Sequence, residues 1–178
     1  MINVVWLKRD FRLTDHAALY QTMQSNDLTI LVFLFENSIY SDPHYSSFHF
    51  DFIKQSIADM NEKLLPFDTK VLTLKSEIID FLEFYRTEFG NFRLLSSEET
   101  GLSITFQRDI RVAQWCKENE IVWKEFQSNG IIRGKKDRKS WSYFWTKFMK
   151  TEILPIDLQQ INFLKIRKIK AIQGRFSV

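Results

Sequence analysis

The chain has 178 residues, of which 44% are hydrophobic, 15% are aromatic and 26% are charged, and its net charge is +3. No apolar run approaches the roughly 20 residues that cross a bilayer, and the first residues lack a signal-peptide pattern, so we expect a soluble, cytoplasmic protein without membrane contact. The single cysteine, Cys116, excludes an intramolecular disulfide framework. Three scattered histidines, with no CxxC or HExxH motif, predict no metal site.

Charge divides the chain into two regions. Residues 1–126 contain 13 Lys and Arg against 19 Asp and Glu, a net charge of −6, whereas residues 127–178 contain 12 against 3, a net charge of +9. Such an asymmetry is typical of regions with different surroundings. We therefore predict an acidic domain over residues 1–126 and a basic, aromatic extension over residues 127–178.

Apolar runs and amphipathic segments alternate through the first region. Residues 2–7 predict a buried strand, and Thr14 and Asp15 occupy capping positions ahead of a helix over Ala17–Met23. The nearly uninterrupted apolar run Leu28–Phe35 predicts a strand covered on both faces. The alternation continues as a helix over residues 53–64, a strand over 69–74, a helix over 78–89, a strand over 91–96, a helix over 103–117 and a strand over 121–126.

The helix over residues 103–117 has both apolar and charged positions. Phe106, Ile110 and Ala113 share one face, Val112 and Cys116 lie beside it, and we expect this apolar side to be buried with Cys116 as an inert thiol. Arg108 and Asp109 are adjacent, so their side chains are expected to point in different directions and to find separate partners. Structural ion pairs are the use that we predict for them.

Strands joined by helices of this length form right-handed parallel crossovers. We therefore predict an α/β fold, a Rossmann-like doubly wound sheet of five parallel strands with helices on both faces. Ligands of such sheets bind at the carboxyl ends of the strands, so the functional site is expected among the short segments that follow them. The candidate binding residues there are Lys8, Arg9, Asp10, Glu36, Glu98 and Glu99.

A glycine-rich phosphate loop is missing from the first strand–helix turn, since the first glycine in the chain is Gly90. Lys8, Arg9 and Arg12 could still bind a ligand through their side chains. The alternative is that these charges belong to a solvated loop, in which Asp10, Arg12 and Asp15 form a stabilising network.

Three segments carry a family resemblance. Residues 5–19, VWLKRDFRLTDHAAL, resemble the opening signature of the DNA photolyase and cryptochrome family. Residues 97–101, together with the Gln-Arg-Asp at 107–109, resemble the family segment that follows the fourth strand. Residues 129–133, followed by Arg138, Trp141, Trp145, Phe148 and Met149, are similar to the passage that leaves the sheet in a bacterial branch.

The resemblance implies an amino-terminal antenna domain that binds a light-harvesting pigment. In such proteins the pigment passes excitation to FAD, which lies in a helical domain that follows in sequence and binds DNA. The expected partners are therefore a carboxy-terminal FAD-binding domain and, only through the full-length protein, DNA. No catalytic residue is expected within residues 1–178 themselves.

The resemblance also implies roles for individual residues. It places Lys8, Arg9 and Asp10 at the border of the pigment pocket and makes Glu98 or Glu99 a pigment contact. Residues 104–107 read Ile-Thr-Phe-Gln where folate-binding members have an Asn-Glu pair, which favours a deazaflavin or FMN over a folate. The pocket could instead be empty, filled by the bulky side chains of Phe35, Phe48 and Phe50.

Other functions stay open at this point. One is a free-standing nucleotide- or flavin-binding domain that acts through protein partners, and another is blue-light signalling without repair. A receiver-like domain needs acidic residues after the third strand, where this sequence has Leu74 and Lys75.

The basic extension has two interpretations. Its cations, Arg133, Lys135, Lys136, Arg138 and Lys139, precede several aromatic residues, a composition typical of nucleic-acid binding. The spacing of Trp141, Phe144, Trp145, Phe148 and Met149 instead favours one apolar helix face for packing. Residues 161–175 are expected to begin an interdomain linker or to form an irregular tail.

Overall fold

A parallel sheet forms the centre of the molecule. The computed structural model describes residues 1–134, 138 and 140–176. The strands are β1 (Ile2–Trp6), β2 (Leu28–Phe35), β3 (Leu72–Lys75), β4 (Arg93–Ser97) and β5 (Val122–Phe126). Their order is β3-β2-β1-β4-β5, so β1 is central and pairs with β2 on one side and β4 on the other.

Helices cover both faces of this sheet. They are α1 (Ala17–Met23), α2 (Asn37–Tyr40), α3 (Ser47–Leu64), α4 (Ile78–Phe89), α5 (Ser103–Glu118), α6 (Trp141–Met149) and α7 (Ile166–Phe176). One core lies between the sheet and α1 with α3, and the other lies between the sheet and α4, α5 and α7. The prediction of a doubly wound α/β fold is therefore confirmed.

Strand β2 is covered by helices on both faces, which explains its nearly continuous apolar sequence. Its six central residues are buried, and they alternate between the two cores. Ile30 and Val32 pack with α4 and α5, whereas Leu31 and Phe33 pack with α1 and α3. A strand with both faces covered cannot alternate between apolar and polar residues, which is why the sequence pattern is continuous.

The buried face of α5 differs from the predicted one. Phe106 and Ile110 are exposed, and Ala113 is exposed as well. The face that meets the sheet contains Thr105, Arg108, Asp109, Val112, Trp115 and Cys116. Val112 and Cys116 are therefore buried as predicted, and the prediction was wrong for Phe106, Ile110 and Ala113. It followed apolar residues alone, whereas the first two turns of the buried face contain charged groups that are paired with one another.

The cap of α1 also differs from the prediction. His16 is the N-cap residue, and its Nδ1 accepts a hydrogen bond of 3.3 Å from the Leu19 N–H. Asp15 instead has a left-handed backbone, with φ of 48°, and its Oδ1 accepts from the Leu154 N–H. Asp15 therefore links the start of α1 to the later part of the chain rather than capping the helix.

Residues 161–176 pack against the domain. The Thr29 N–H donates to the Asn162 carbonyl at 2.7 Å, and the Leu164 N–H donates to the Thr29 carbonyl at 2.8 Å. Ile169 and Ile172 of α7 are buried in the core beside β3 and α4. The prediction of an irregular tail is wrong, because the isoleucines form a helical stripe and the lysines between them face water.

Helix α6 has no buried residue. Trp141, Phe144, Trp145 and Met149 all expose large apolar surface, although the Trp145 ring lies directly over Gly130, where a Cβ would come within 2.4 Å of it. Lys135, Lys136 and Lys139 of the predicted basic cluster lie outside the described residues. A domain boundary between residues 126 and 127 stays a prediction.

Candidate ligand-binding site

A cavity of about 660 Å³ opens at the carboxyl edge of the sheet. Leu7 to Arg9 follow β1, Glu36 follows β2, and Glu99 lies just beyond β4, so the parallel strands bring these segments to one place. The volume falls within the roughly 300–1,000 Å³ range of sites for small molecules and cofactors. The cavity therefore lies where the topology predicts a ligand site.

Aromatic side chains form much of the wall. Phe11 follows β1, Phe33 lies on β2, and Phe50 and Ile53 come from α3. The rim contains Tyr45, Phe48 and Phe52. Phe48 and Phe52 are 82% and 67% exposed, unusually high values for phenylalanine. A wall of this kind suits the faces of a planar aromatic ligand.

The three phenylalanines suspected of filling the pocket do not fill it. Phe50 is buried in the wall, Phe48 lies at the rim, and the ring of Phe35 packs edge-on against Phe33 at 4.9 Å instead of lining the cavity. The space between the walls is open.

Charged residues form the floor. Arg108 donates to Glu36 at 2.7 Å and to Asp109 at 3.1 Å, and it lies 3.5 Å from Glu99. Lys8 pairs with Asp109 at 2.5 Å. The side chains of all five residues are at most 7% exposed. Every charge in this buried network thus has an opposite charge beside it, as burial requires.

The Trp6 ring adds a further contact for both cations. Lys8 Nζ lies 4.7 Å from the ring centroid, and the guanidinium carbon of Arg108 lies 4.6 Å from it. Cation–π contacts of this length hold both cations against the end of β1. The two cations of the floor thus contact Trp6 as well as the carboxylates.

Burial changes the proton affinities of the floor. It raises the pKa of Glu36 above its usual value, although Arg108 acts in the opposite direction. Burial lowers the pKa of Lys8, against the effect of Asp109. For Arg108, burial alone would lower the pKa, but Glu36 and Asp109 outweigh it and raise the pKa.

Arg9 lies at the mouth of the cavity. Its side chain is 51% exposed, and Nη2 lies 3.1 Å from Glu99. The guanidinium lies against Gly101, where a Cβ would approach Nη2 to 1.9 Å. Gly101 in turn donates its N–H to Glu99 at 2.6 Å. A residue without a side chain is required at position 101 for Arg9 to keep this place.

Four of the six predicted binding residues line the cavity: Lys8, Arg9, Glu36 and Glu99. Asp10 lies behind it, where it accepts from the Ser97 hydroxyl and the Lys8 N–H and faces His16 Nε2 at 3.0 Å. Glu98 points elsewhere and lies 3.4 Å from Arg133. The ligand contacts of the four lining residues stay a prediction.

Sequence reasoning missed the place of Arg108 and Asp109 in this site. The predicted ion pairs with separate partners are present, since Arg108 pairs with Glu36 and Asp109 pairs with Lys8. What the prediction lacked is that the two residues also pair with each other and that their network forms the floor of the cavity. The spacing of residues 105, 108, 109, 112, 115 and 116 is the signal that could have found them, because it continues the apolar stripe of α5 into charged positions.

Histidines at the rim are held by their neighbours. The Ser46 N–H donates to His49 Nδ1 at 3.0 Å, and His44 pairs with Asp42 at 2.8 Å. Among the described residues, no group of three or more His, Cys, Asp or Glu side chains is arranged to hold a metal ion. Within the same residues, no helix is both long and apolar enough to cross a bilayer.

Residues 3–148 match the family model described as DNA photolyase. The chain belongs to the DNA photolyase family. The resemblance seen in the sequence is therefore confirmed, and the sheet with its covering helices is the amino-terminal α/β domain of this family. Comparison with curated proteins found no match.

Solved photolyases and cryptochromes share the fold. An archaeal photolyase from Sulfolobus tokodaii aligns with a TM-score of 0.71 at 18% identity, over 97% of this chain and 42% of its own. That protein was crystallised with two FAD molecules, which implied a novel light-harvesting cofactor. A bacterial class III photolyase from Agrobacterium tumefaciens aligns with a TM-score of 0.67 at 16% identity, over 84% of this chain and 32% of its own.

A cryptochrome from Synechocystis aligns with a TM-score of 0.63 at 16% identity, over 71% of this chain and 27% of its own. The chain thus spans less than half the length of each of these three proteins.

Proposed function

We propose that this chain is the antenna domain of a photolyase or cryptochrome and that it binds a light-harvesting pigment in the cavity at the carboxyl edge of its sheet. The cavity itself is the observation that carries the proposal, because it combines room for a planar ring system with aromatic walls and a fixed polar floor. Its floor supplies both carboxylate acceptors and cationic donors for the polar edge of such a ring.

The pigment that we propose is a flavin or a deazaflavin. Thr105 lines the cavity where folate-binding members have their Asn-Glu segment, so a folate is disfavoured. A light-harvesting cofactor was implied for the archaeal photolyase crystallised with two FAD molecules, which supports a flavin.

The full-length protein is proposed to hold FAD in a second, helical domain and to act on DNA through it. The share of the solved chains that this one covers, at most 42% among the three compared, supports a further domain in the family. The exposed aromatic face of α6 supports a contact with that domain. A cytoplasmic location is part of the same proposal.

Pigment binding by the purified chain tests the proposal. FMN, FAD, 8-hydroxydeazaflavin and methenyltetrahydrofolate are titrated separately while fluorescence quenching and anisotropy of the pigment are measured. We expect saturable binding of at least one flavin or deazaflavin, with its absorption band shifted by the apolar walls. Binding of the folate alone would contradict the proposed pigment class, and binding of none would overturn the antenna function of this cavity.

A matched pair of variants locates the binding. Ile53→Trp places a large ring into the cavity from α3, whereas Gln55→Trp places the same ring on the exposed face of the same helix. We expect the first change to abolish pigment binding and the second to leave it unchanged. Equal binding by both variants would place the pigment elsewhere.

The length of the native polypeptide tests whether a carboxy-terminal FAD-binding domain follows this one. An antibody against these 178 residues should detect a product several hundred residues longer in the source cells. A product of 21.4 kDa would instead favour a stand-alone domain that acts through protein partners.

A further inference from the structure

Charged groups in the cavity wall differ sharply in exposure. Lys8, Glu36, Glu99 and Arg108 are buried and are paired within the floor network. Arg9 is the exception, since half of its side chain is exposed to solvent at the mouth. A charged part of a ligand can therefore reach Arg9 without breaking a buried ion pair.

Arg9 is positioned although it is exposed. Among the described residues, its guanidinium forms an ion pair with Glu99, through a single nitrogen at 3.1 Å. The same guanidinium lies close to Gly101, where a Cβ would collide with it. Arginine has five N–H donors in a planar fork, so this arrangement leaves donors for a second, anionic partner.

Among the described carboxylates around the cavity, Glu99 contacts Arg9, whereas Glu36 and Asp109 are held by other partners. Glu36 accepts from Arg108 and from the Ile78 N–H, and Asp109 accepts from Lys8 and Arg108. Other polar side chains that line the cavity are those of His44, Tyr45, His49 and Thr105. Because Nδ1 of His49 accepts from the Ser46 N–H, its Nε2 carries a proton and is a further donor.

Between this mouth and the floor the wall is aromatic and apolar. A ligand that fits both parts has a planar ring system inside and an anionic end outside. We propose that the cavity takes a flavin that ends in a phosphate, with the phosphate bound by Arg9, and that it discriminates against the same ring system without a phosphate. This inference rests on the proposed antenna function and narrows its ligand class.

FMN and riboflavin test the inference, because they share the isoalloxazine ring and differ in the phosphate. The purified 178-residue chain is titrated with each at low and at high salt, and the dissociation constants are measured by flavin fluorescence. We expect FMN to bind roughly ten- to a hundredfold more tightly than riboflavin. This is the difference expected when riboflavin, which has no phosphate, cannot form one charge-assisted hydrogen bond with Arg9. Added salt should weaken FMN binding and leave riboflavin binding nearly unchanged.

Arg9→Gln should lower the affinity for FMN to that for riboflavin and leave the affinity for riboflavin unchanged. The matched control is Arg12→Gln, since Arg12 is also exposed and bonds to the Asp15 carbonyl, but does not line the cavity. Gly101→Ala is a second, independent variant, because its methyl group displaces the Arg9 guanidinium without removing it. It should weaken FMN binding in the same direction.

Equal affinities of the wild-type chain for the two flavins would overturn the inference and leave the antenna proposal standing. If Arg9→Gln weakens the binding of both flavins equally, the inference is also overturned, because Arg9 would then act on the ring system and not on the phosphate. If neither flavin binds, this inference fails, and the deazaflavin titration decides separately whether the antenna proposal fails with it.

Discussion

Arg108 and Glu36 lie 72 positions apart in the chain, yet their side chains meet at 2.7 Å on the floor of the cavity. The contact joins the first turns of α5 to the end of β2 across the central strand. It holds the segments that form the cavity in a fixed arrangement, because neither group can move without leaving a buried charge unpaired.

Removal of Arg108 should therefore destabilise the fold. We expect Arg108→Met to lower the free energy of unfolding by about 3–5 kcal/mol, because three buried carboxylates lose their shared cation. Lys63→Met is the control, since the Lys63–Asp59 pair is exposed and should contribute less than about 1 kcal/mol. Urea unfolding followed by circular dichroism measures both. Similar losses in the two variants would contradict a special role for the buried network.

Stability should depend on pH through Asp10. Burial alone would raise the pKa of Asp10, but the nearby His16 ring and the hydrogen bonds from the Ser97 hydroxyl and the Lys8 N–H hold it well below its usual value of 3.8. The ionised carboxylate therefore stabilises the fold above about pH 4, and this contribution is lost as the pH falls toward the folded pKa. We expect the stability difference between wild type and Asp10→Asn to shrink between pH 5 and the lowest pH at which the chain stays folded, on the order of pH 3.

Ser97→Ala removes one of the hydrogen bonds to Asp10 and should give an intermediate pH dependence. Unfolding measured in denaturant at successive pH values provides the comparison. A difference that stays constant with pH would show that the carboxylate charge does not contribute.

Cys116 should be unreactive in the folded protein. Burial raises the pKa of its thiol to about 12, and the thiolate is the reactive species. Because this is the single cysteine of the chain, its reaction with a disulfide reagent such as DTNB reports on one site. We expect negligible modification of the native protein at neutral pH and complete, rapid modification in denaturant. Rapid reaction without denaturant would mean that α5 opens readily.

Docking of α7 should contribute to the stability of the domain. Ile169 is fully buried, so Ile169→Ala should lower the free energy of unfolding by about 2–5 kcal/mol. Lys168→Ala alters the exposed side of the same helix and should change stability by less than about 0.5 kcal/mol. Thermal unfolding of both variants tests this, and an unchanged midpoint for Ile169→Ala would indicate that the helix does not pack on the sheet in solution.

Local patterns were sufficient to predict the elements of the sheet. The apolar run of β2 matches its strand from Leu28 to Phe35, and α1 matches its predicted range from Ala17 to Met23. The other strands of the sheet begin within three residues of their predicted positions. These predictions succeeded because strand formation and helix amphipathicity depend on residues that are neighbours in the chain.

The candidate site was predicted only in part. Lys8, Arg9, Glu36 and Glu99 were found because parallel strands place their carboxyl ends together, which topology alone implies. Asp10 and Glu98 were chosen by the same rule but do not line the cavity. Asp10 lies beside His16, and Glu98 lies beside Arg133. A position at a strand end does not specify the direction of the side chain.

The sequence by itself determined the family, the order of strands and helices and the edge of the sheet where a ligand belongs, because these follow from local patterns and from the few ways in which parallel crossovers connect. Only the tertiary structure decided that Arg108 and Asp109 complete the floor, that Arg9 stays at the mouth and that α7 covers the sheet beside β3. Each of these contacts joins residues far apart in the chain. Their formation depends on which charged groups must share a buried space and which apolar surface remains uncovered, and neither is visible before the chain is folded.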